Sequence, residues 1–131
     1  MTLLDTHVWI WWVSNPENLS ETARRRIEQS MKNETLLISS ISAWEVAMLK
    51  LKGRLELTLD VADWIAKSEA LPFVKFAPVT NSIAVRAVQL PGTLHADPAD
   101  RIIAATAMIN GSVLVTKDEK LANYPFLETL W

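Results

Sequence analysis

The sequence predicts an α/β fold: a three-layer α/β/α sandwich with a mostly parallel central sheet, in one domain spanning residues 1–131. Two observations predict the architecture. Short apolar segments, in "TLLDTH", "TLLISS", "FVKFAPV" and "SVLVTKD", recur along the chain, and each is bounded by a longer stretch with helical spacing of its apolar residues. A third observation bounds the size. Half of the 131 residues are apolar, with only 3 Gly and 6 Pro, and no repeat, low-complexity tract or linker interrupts them. That is the composition of a folded domain.

The elements follow in order. Leu3 and Leu4 form a short strand ending at Asp5, and the aromatic run "VWIWWV" is too apolar for a surface loop. A helix follows with Ser20 as its N-cap and Ala23, Ile27 and Met31 on one face. Residues 35–40 make a second buried strand, and the next helix starts at about Ser42 and stops at Gly53. Asp60 opens another helix, carrying Val61, Trp64, Ile65 and Ser68. After the strand "FVKFAPV", Thr80 caps a helix that closes before Pro91. The next has Pro98 at its first position and ends at Asn110-Gly111. A strand at 113–115 runs out at Thr116, "EKLANYP" is a helical turn, and "FLETLW" is a final edge strand.

Composition excludes several classes. Without cysteine there are no disulfides and no thiolate metal sites, which agrees with a cytoplasmic location. The N-terminus lacks a basic leader and carries Asp5 early, so it reads as core rather than as a signal peptide. No apolar run approaches the ~20 residues that span a bilayer, so no membrane partner is expected. The net charge of −2 gives no global attraction to nucleic acid. Arg24, Arg25, Arg26 and Lys32, and then Lys50, Lys52 and Arg54, read as solvated helix faces or as a local rim for phosphates. Neither G-x-x-x-x-G-K-[ST] nor G-x-G-x-x-G occurs. The six tryptophans read mostly as core or interface anchors.

Acids carry the chemical signal. In a parallel sheet the functional crevice lies beyond the carboxyl ends of the strands. Asp5 and Asp118 follow strands, Glu45 lies early in a helix after a strand, and Asp97 and Asp100 open a helix. Capping explains some of these singly: Ser42 with Glu45 has capping-box spacing, Asp97 precedes Pro98, and Asp118 or Thr116 suits a short helix. It does not explain why all five lie at one edge. Clustered carboxylates repel and raise one another's pKa, and a divalent cation removes that cost. Oxygen ligands favour Mg²⁺ or Mn²⁺, as one or two ions, which suits phosphodiester hydrolysis. His95 reads as a loop or pocket-wall residue, and Arg101 is placed to pair with an acid or contact a substrate phosphate.

With those residues in place, the sequence resembles the PIN-domain ribonucleases, specifically the VapC-type toxins of bacterial toxin–antitoxin pairs. "LLDTHVWIWW", "SSISAWEVAMLKLKGRLEL", "LPGTLHADPADRIIAATA" and "LVTKD" resemble, in order, the segments bearing that family's four acids. The resemblance implies Asp5, Glu45, Asp100 and Asp118 as catalytic and metal-binding residues, with Asp97 as an extra metal-binding acid. Thr6 and Thr116 match polar positions around the site, and Arg101 is a further auxiliary residue. Ala99 stands where members often have Phe. The implied activity is a Mg²⁺- or Mn²⁺-dependent endoribonuclease, usually a homodimer, held inactive by a cognate antitoxin. DNA is then met only through the antitoxin. The alternatives are a PIN-like module that binds a basic peptide without cutting, a nuclease acting on DNA, and a receiver-like phosphoacceptor domain.

Overall fold

The structure, a computed structural model, describes residues 1–33 and 35–131. In chain order its elements are β1 (Thr2–Leu4), α1 (Thr6–Ser14), α2 (Glu21–Asn33), β2 (Leu36–Ser39), α3 (Ser40–Leu51), α4 (Val61–Glu69), β3 (Val74–Ala77), α5 (Asn81–Val88), α6 (Pro98–Asn110), β4 (Val113–Val115), α7 (Glu119–Ala122) and β5 (Thr129–Leu130). The strands form a five-stranded sheet in the order β3-β2-β1-β4-β5, and every neighbouring pair is parallel. The sheet is wholly parallel where the sequence predicts a mostly parallel one.

Period-two alternation divides the core into two layers. Leu3, Leu37 and Leu114 point to one face, where they meet Ile83 and Ala87 of α5, Ile103 and Ala107 of α6, and Leu121 of α7. Leu4, Leu36, Ile38 and Val115 point to the other, against Val8 and Trp9 of α1, Ala23 and Ile27 of α2, Val46 of α3 and Trp64 of α4. Both faces of the sheet are therefore covered, which is why its strands read as unbroken apolar runs. On the second face the Trp9 ring sits 4.7 Å from Trp64 and 5.5 Å from Phe76. Its indole N–H donates to Ser68 Oγ at 3.0 Å, so its one polar atom is satisfied in the core.

Helix starts and stops follow the local chemistry, with three corrections. Ser20 Oγ accepts from Ala23 N, and Thr80 Oγ1 accepts from Ile83 N, as expected of caps. The buried face of α2 is Ala23, Ile27 and Ser30, while Met31 is exposed. Ser30 is tolerated inside because its hydroxyl pairs with Thr2 Oγ1 at 2.7 Å. The helix expected from Ser42 begins at Ser40 with Ser39 as N-cap, which removes the capping-box explanation of Glu45. Trp44, on the same helix, is 58% exposed, which removes the core role and leaves the interface role of the two expected for the tryptophans. Helix α6 runs from Pro98 as expected, and Gly111 closes it in the left-handed conformation, φ +61°.

The chain moves outward from β1 through β2 to β3, then returns to the other side of β1 with β4. The sheet therefore changes direction between β1 and β4. Loops leaving the carboxyl ends of these two strands part there and open a crevice. Asp5 directly follows β1, and Asp118 lies three residues beyond Val115 of β4.

Candidate active site

A cleft of about 600 Å³ occupies that crevice, and its lining includes Asp5, Thr6, Glu45, Asp97, Asp100 and Asp118. All five acids singled out in the sequence thus share one pocket.

Asp5 is the deepest, at 7% exposure. It is the N-cap of α1: Oδ1 accepts from Thr6 N at 2.8 Å, a capping role the sequence did not reveal. Its other oxygen, Oδ2, accepts from Thr116 Oγ1 at 2.7 Å, across the gap between β1 and β4. Burial pushes its pKa up, the bonds from Thr116 and Thr6 and the charge of His7 pull it down, and Asp118 pushes it up again. Thr116 also accepts from Asp118 N at 3.0 Å, so one hydroxyl ties the two strand-end acids together.

Glu45 projects from α3 and accepts from Thr6 Oγ1 at 2.5 Å. Thr6 Oγ1 also pairs with Ser42 Oγ at 2.8 Å. With its single proton directed at Glu45, Thr6 must accept from Ser42. Glu45 is pushed up to about 7, first by burial and then by Asp100, Asp5 and Asp97, against the pull of the Thr6 bond.

Asp97 caps α6 by accepting from Asp100 N at 3.0 Å and is itself exposed. Asp100 does not complete a capping box. Its Oδ2 pairs instead with His95 Nε2 at 2.7 Å. Burial raises its pKa, the His95 bond lowers it, and Asp5, Asp97 and Asp118 raise it. Asp118 is the N-cap of α7, accepting from Lys120 N and Leu121 N at 2.8 and 3.4 Å. Capping and convergence are therefore compatible: a cap carboxylate lies in the entrance of its helix, and these entrances face one crevice.

His95 lies on a loop, as expected, and in addition touches an acid of the site directly. A signal for it existed in the His-x-x-x-x-Asp spacing, but only folding of the loop over the first turn of α6 turns that spacing into contact. Among the described residues Arg101 pairs with no acid, and it does not line the pocket. Its guanidinium donates to the carbonyls of Ala87 and Leu94 at 2.8 Å each, Val88 at 3.3 Å and His95 at 3.5 Å. It locks the loop between α5 and α6 that carries His95, and so acts on the architecture. Sequence reasoning also missed His7, Trp11, Lys117 and Glu119, which complete the pocket wall.

A parallel α/β sandwich with carboxylates gathered where its sheet changes direction defines the class of protein. The PIN domain model matches residues 2–127, and the chain belongs to the PIN-domain family. More particularly, it is 38% identical over 131 residues to Ribonuclease VapC22 of Mycobacterium tuberculosis, an alignment covering 98% of this chain and 97% of that protein. Among the solved structures that share the fold are the following two. VapBC2 from Rickettsia felis, bound to a DNA fragment from its promoter, matches with TM-score 0.71 and 18% identity, over 98% of this chain and 96% of that one. FitAcB from Neisseria gonorrhoeae matches with TM-score 0.68 and 20% identity, over 100% and 97%.

Proposed function

We propose that the chain is a divalent-metal-dependent endoribonuclease, the toxin of a toxin–antitoxin pair, with Asp5, Glu45, Asp100 and Asp118 as its catalytic acids. The observation that carries this reading is the pocket itself, where Asp5, Glu45 and Asp100 all have raised pKa values through burial and mutual repulsion. The similarity to Ribonuclease VapC22 supports RNA as the substrate.

The donor set fits Mg²⁺ or Mn²⁺, being built from carboxylate oxygens. Among the described residues no three acids or histidines converge at the spacing of a closed metal cage. Mg²⁺ ordinarily keeps several waters and takes one or two carboxylates directly. Asp5, Glu45 and Asp100 would hold the principal ion directly or through water, with Asp97 auxiliary. Asp118 would complete the site, hold a second ion or orient the attacking water. A bound cation supplies Lewis-acid polarisation of the phosphodiester and lowers the pKa of an attacking water. The chain's own groups orient the acids beforehand: Thr116 and the Thr6 amide fix Asp5, the Thr6 hydroxyl fixes Glu45, and His95 fixes Asp100.

The same acidity supports an antitoxin partner, since a pocket of carboxylates accepts an inserted arginine through paired charge-assisted hydrogen bonds. We further propose that the chain acts as a homodimer in the cytoplasm and meets operator DNA only through its antitoxin. Among the described residues no helix is long and apolar enough to cross a membrane.

The test is cleavage of structured and single-stranded RNA by the purified protein with Mg²⁺, beside Asp5→Asn. Asparagine keeps an acceptor for the Thr6 amide and removes the charge. Cleavage should vanish in the variant while its circular dichroism is unchanged, and an Asp5→Asn protein as active as wild type overturns the assignment. A wild-type chain that binds a basic antitoxin peptide but never cuts would instead be a binding module.

A further inference from the structure

We infer that Lys117 binds the backbone phosphate of the RNA at this site, and that Trp11 and Trp131 hold its ammonium available for that purpose. The inference rests on the nuclease reading above.

A phosphodiester entering a pocket lined by acids meets repulsion from them, so its binding calls for a cation supplied by the protein as well. The residue expected to provide it, Arg101, spends its donors on four backbone carbonyls of α5 and the loop that follows it. Of the residues lining the pocket, His7 and Lys117 are the basic ones. Lys117 lies between Thr116, which anchors Asp5, and Asp118. A lysine so close to carboxylates ordinarily forms an ion pair. Among the described residues Lys117 forms neither an ion pair nor a hydrogen bond.

Two indole rings explain its position. Lys117 Nζ lies 5.9 Å from the ring centroid of Trp11 and 6.0 Å from that of Trp131. The rings themselves are 5.7 Å apart and inclined at 57°, and the His7 ring lies 6.0 Å from that of Trp11. Attraction to the ring faces steadies the flexible stem without consuming N–H donors, so charge and donors stay open to an anion. Holding the stem in advance also lowers the entropy lost when the anion arrives. A compact ammonium acts on phosphate as a point charge and suits a contact at any backbone position, independent of base sequence.

The test measures Mg²⁺-dependent cleavage of a single-stranded RNA oligonucleotide over a range of salt concentrations, for wild type, Lys117→Gln, Lys117→Arg and Trp131→Leu. Thermal stabilisation by Mg²⁺ alone is followed in parallel. For Lys117→Gln, kcat/KM should fall on the order of tenfold to a hundredfold. Its dependence on log salt should become shallower by about 0.7, the loss of one phosphate contact on a single strand. The Mg²⁺ stabilisation should persist. Lys117→Arg should recover most of the rate and the steeper salt dependence. Trp131→Leu should lose rate severalfold and keep the wild-type salt dependence, because the charge remains and only its placement loosens.

Lys117→Gln with wild-type kcat/KM or unchanged salt dependence overturns the inference, as does loss of rate together with loss of Mg²⁺ stabilisation. Trp131→Leu with the full wild-type rate overturns the role given to the rings. A wild-type protein with no Mg²⁺-dependent cleavage is a different failure, that of the nuclease reading, and the phosphate contact falls with it.

Discussion

Replacing Glu45 with Gln tests the electrostatic account of the site without any substrate. Gln is nearly isosteric and keeps an oxygen to accept from Thr6 Oγ1, so the packing around α3 is preserved. Glu45 is raised from an ordinary 4.5 to about 7. The folded protein therefore binds this proton more tightly than the unfolded chain does. The resulting stability is fully present below about pH 4.5 and is lost as pH rises through about 7. In full, such a rise corresponds to about 3 kcal/mol. Glu45 remains partly open to solvent, and screening reduces this to about 1–2 kcal/mol.

Without metal, Glu45→Gln should match wild type at about pH 5 and exceed it at about pH 8.5 by that amount, some 3–6 °C in Tm for a chain of this length. Thermal unfolding followed by circular dichroism in EDTA gives the comparison. Adding Mg²⁺ at the higher pH should raise the wild-type Tm and raise that of Glu45→Gln less, because ligand binding to the native state stabilises it in proportion to affinity. A variant no more stable than wild type at the higher pH, or one whose deficit grows with pH, refutes the claim that burying Glu45 among other acids strains this fold.

Two further predictions concern the loop that delivers His95. Arg101→Met leaves the carbonyls of Ala87, Val88 and Leu94 without their donors. It should cost about 2–4 kcal/mol in denaturant unfolding, with faster amide exchange across residues 88–95. Gly92 holds φ +64°, and an added Cβ would meet Phe126 Cε2 at 2.8 Å. Gly92→Ala should therefore lose about 1–2 kcal/mol by urea titration, from left-handed strain and displacement of the Phe126 ring.

The fold was legible in the sequence wherever a single element carried its own signal. Strand "TLL" and helix "DPADRIIAATAMIN" announce themselves by apolar runs, an N-cap, a proline at the first position and a closing glycine. Ser39 and Ser42 show the limit of such reasoning. Both are serines near a helix start and both are fully buried, and only the tertiary arrangement decides which caps the backbone and which binds Thr6.

The sequence by itself determined which groups are ionisable, which runs are strands and helices, and that its acids fall at strand ends and helix entrances. These are local properties, set by residues within a turn or two of one another. Tertiary structure alone decided that β4 returns beside β1, bringing Thr116 to Asp5 across 111 positions of chain. It also turned Arg101 onto backbone carbonyls, brought His95 to Asp100, and set Lys117 between Trp11 and Trp131. Contacts of this kind depend on how the layers pack against the sheet and how loops close over it, and no local periodicity encodes that.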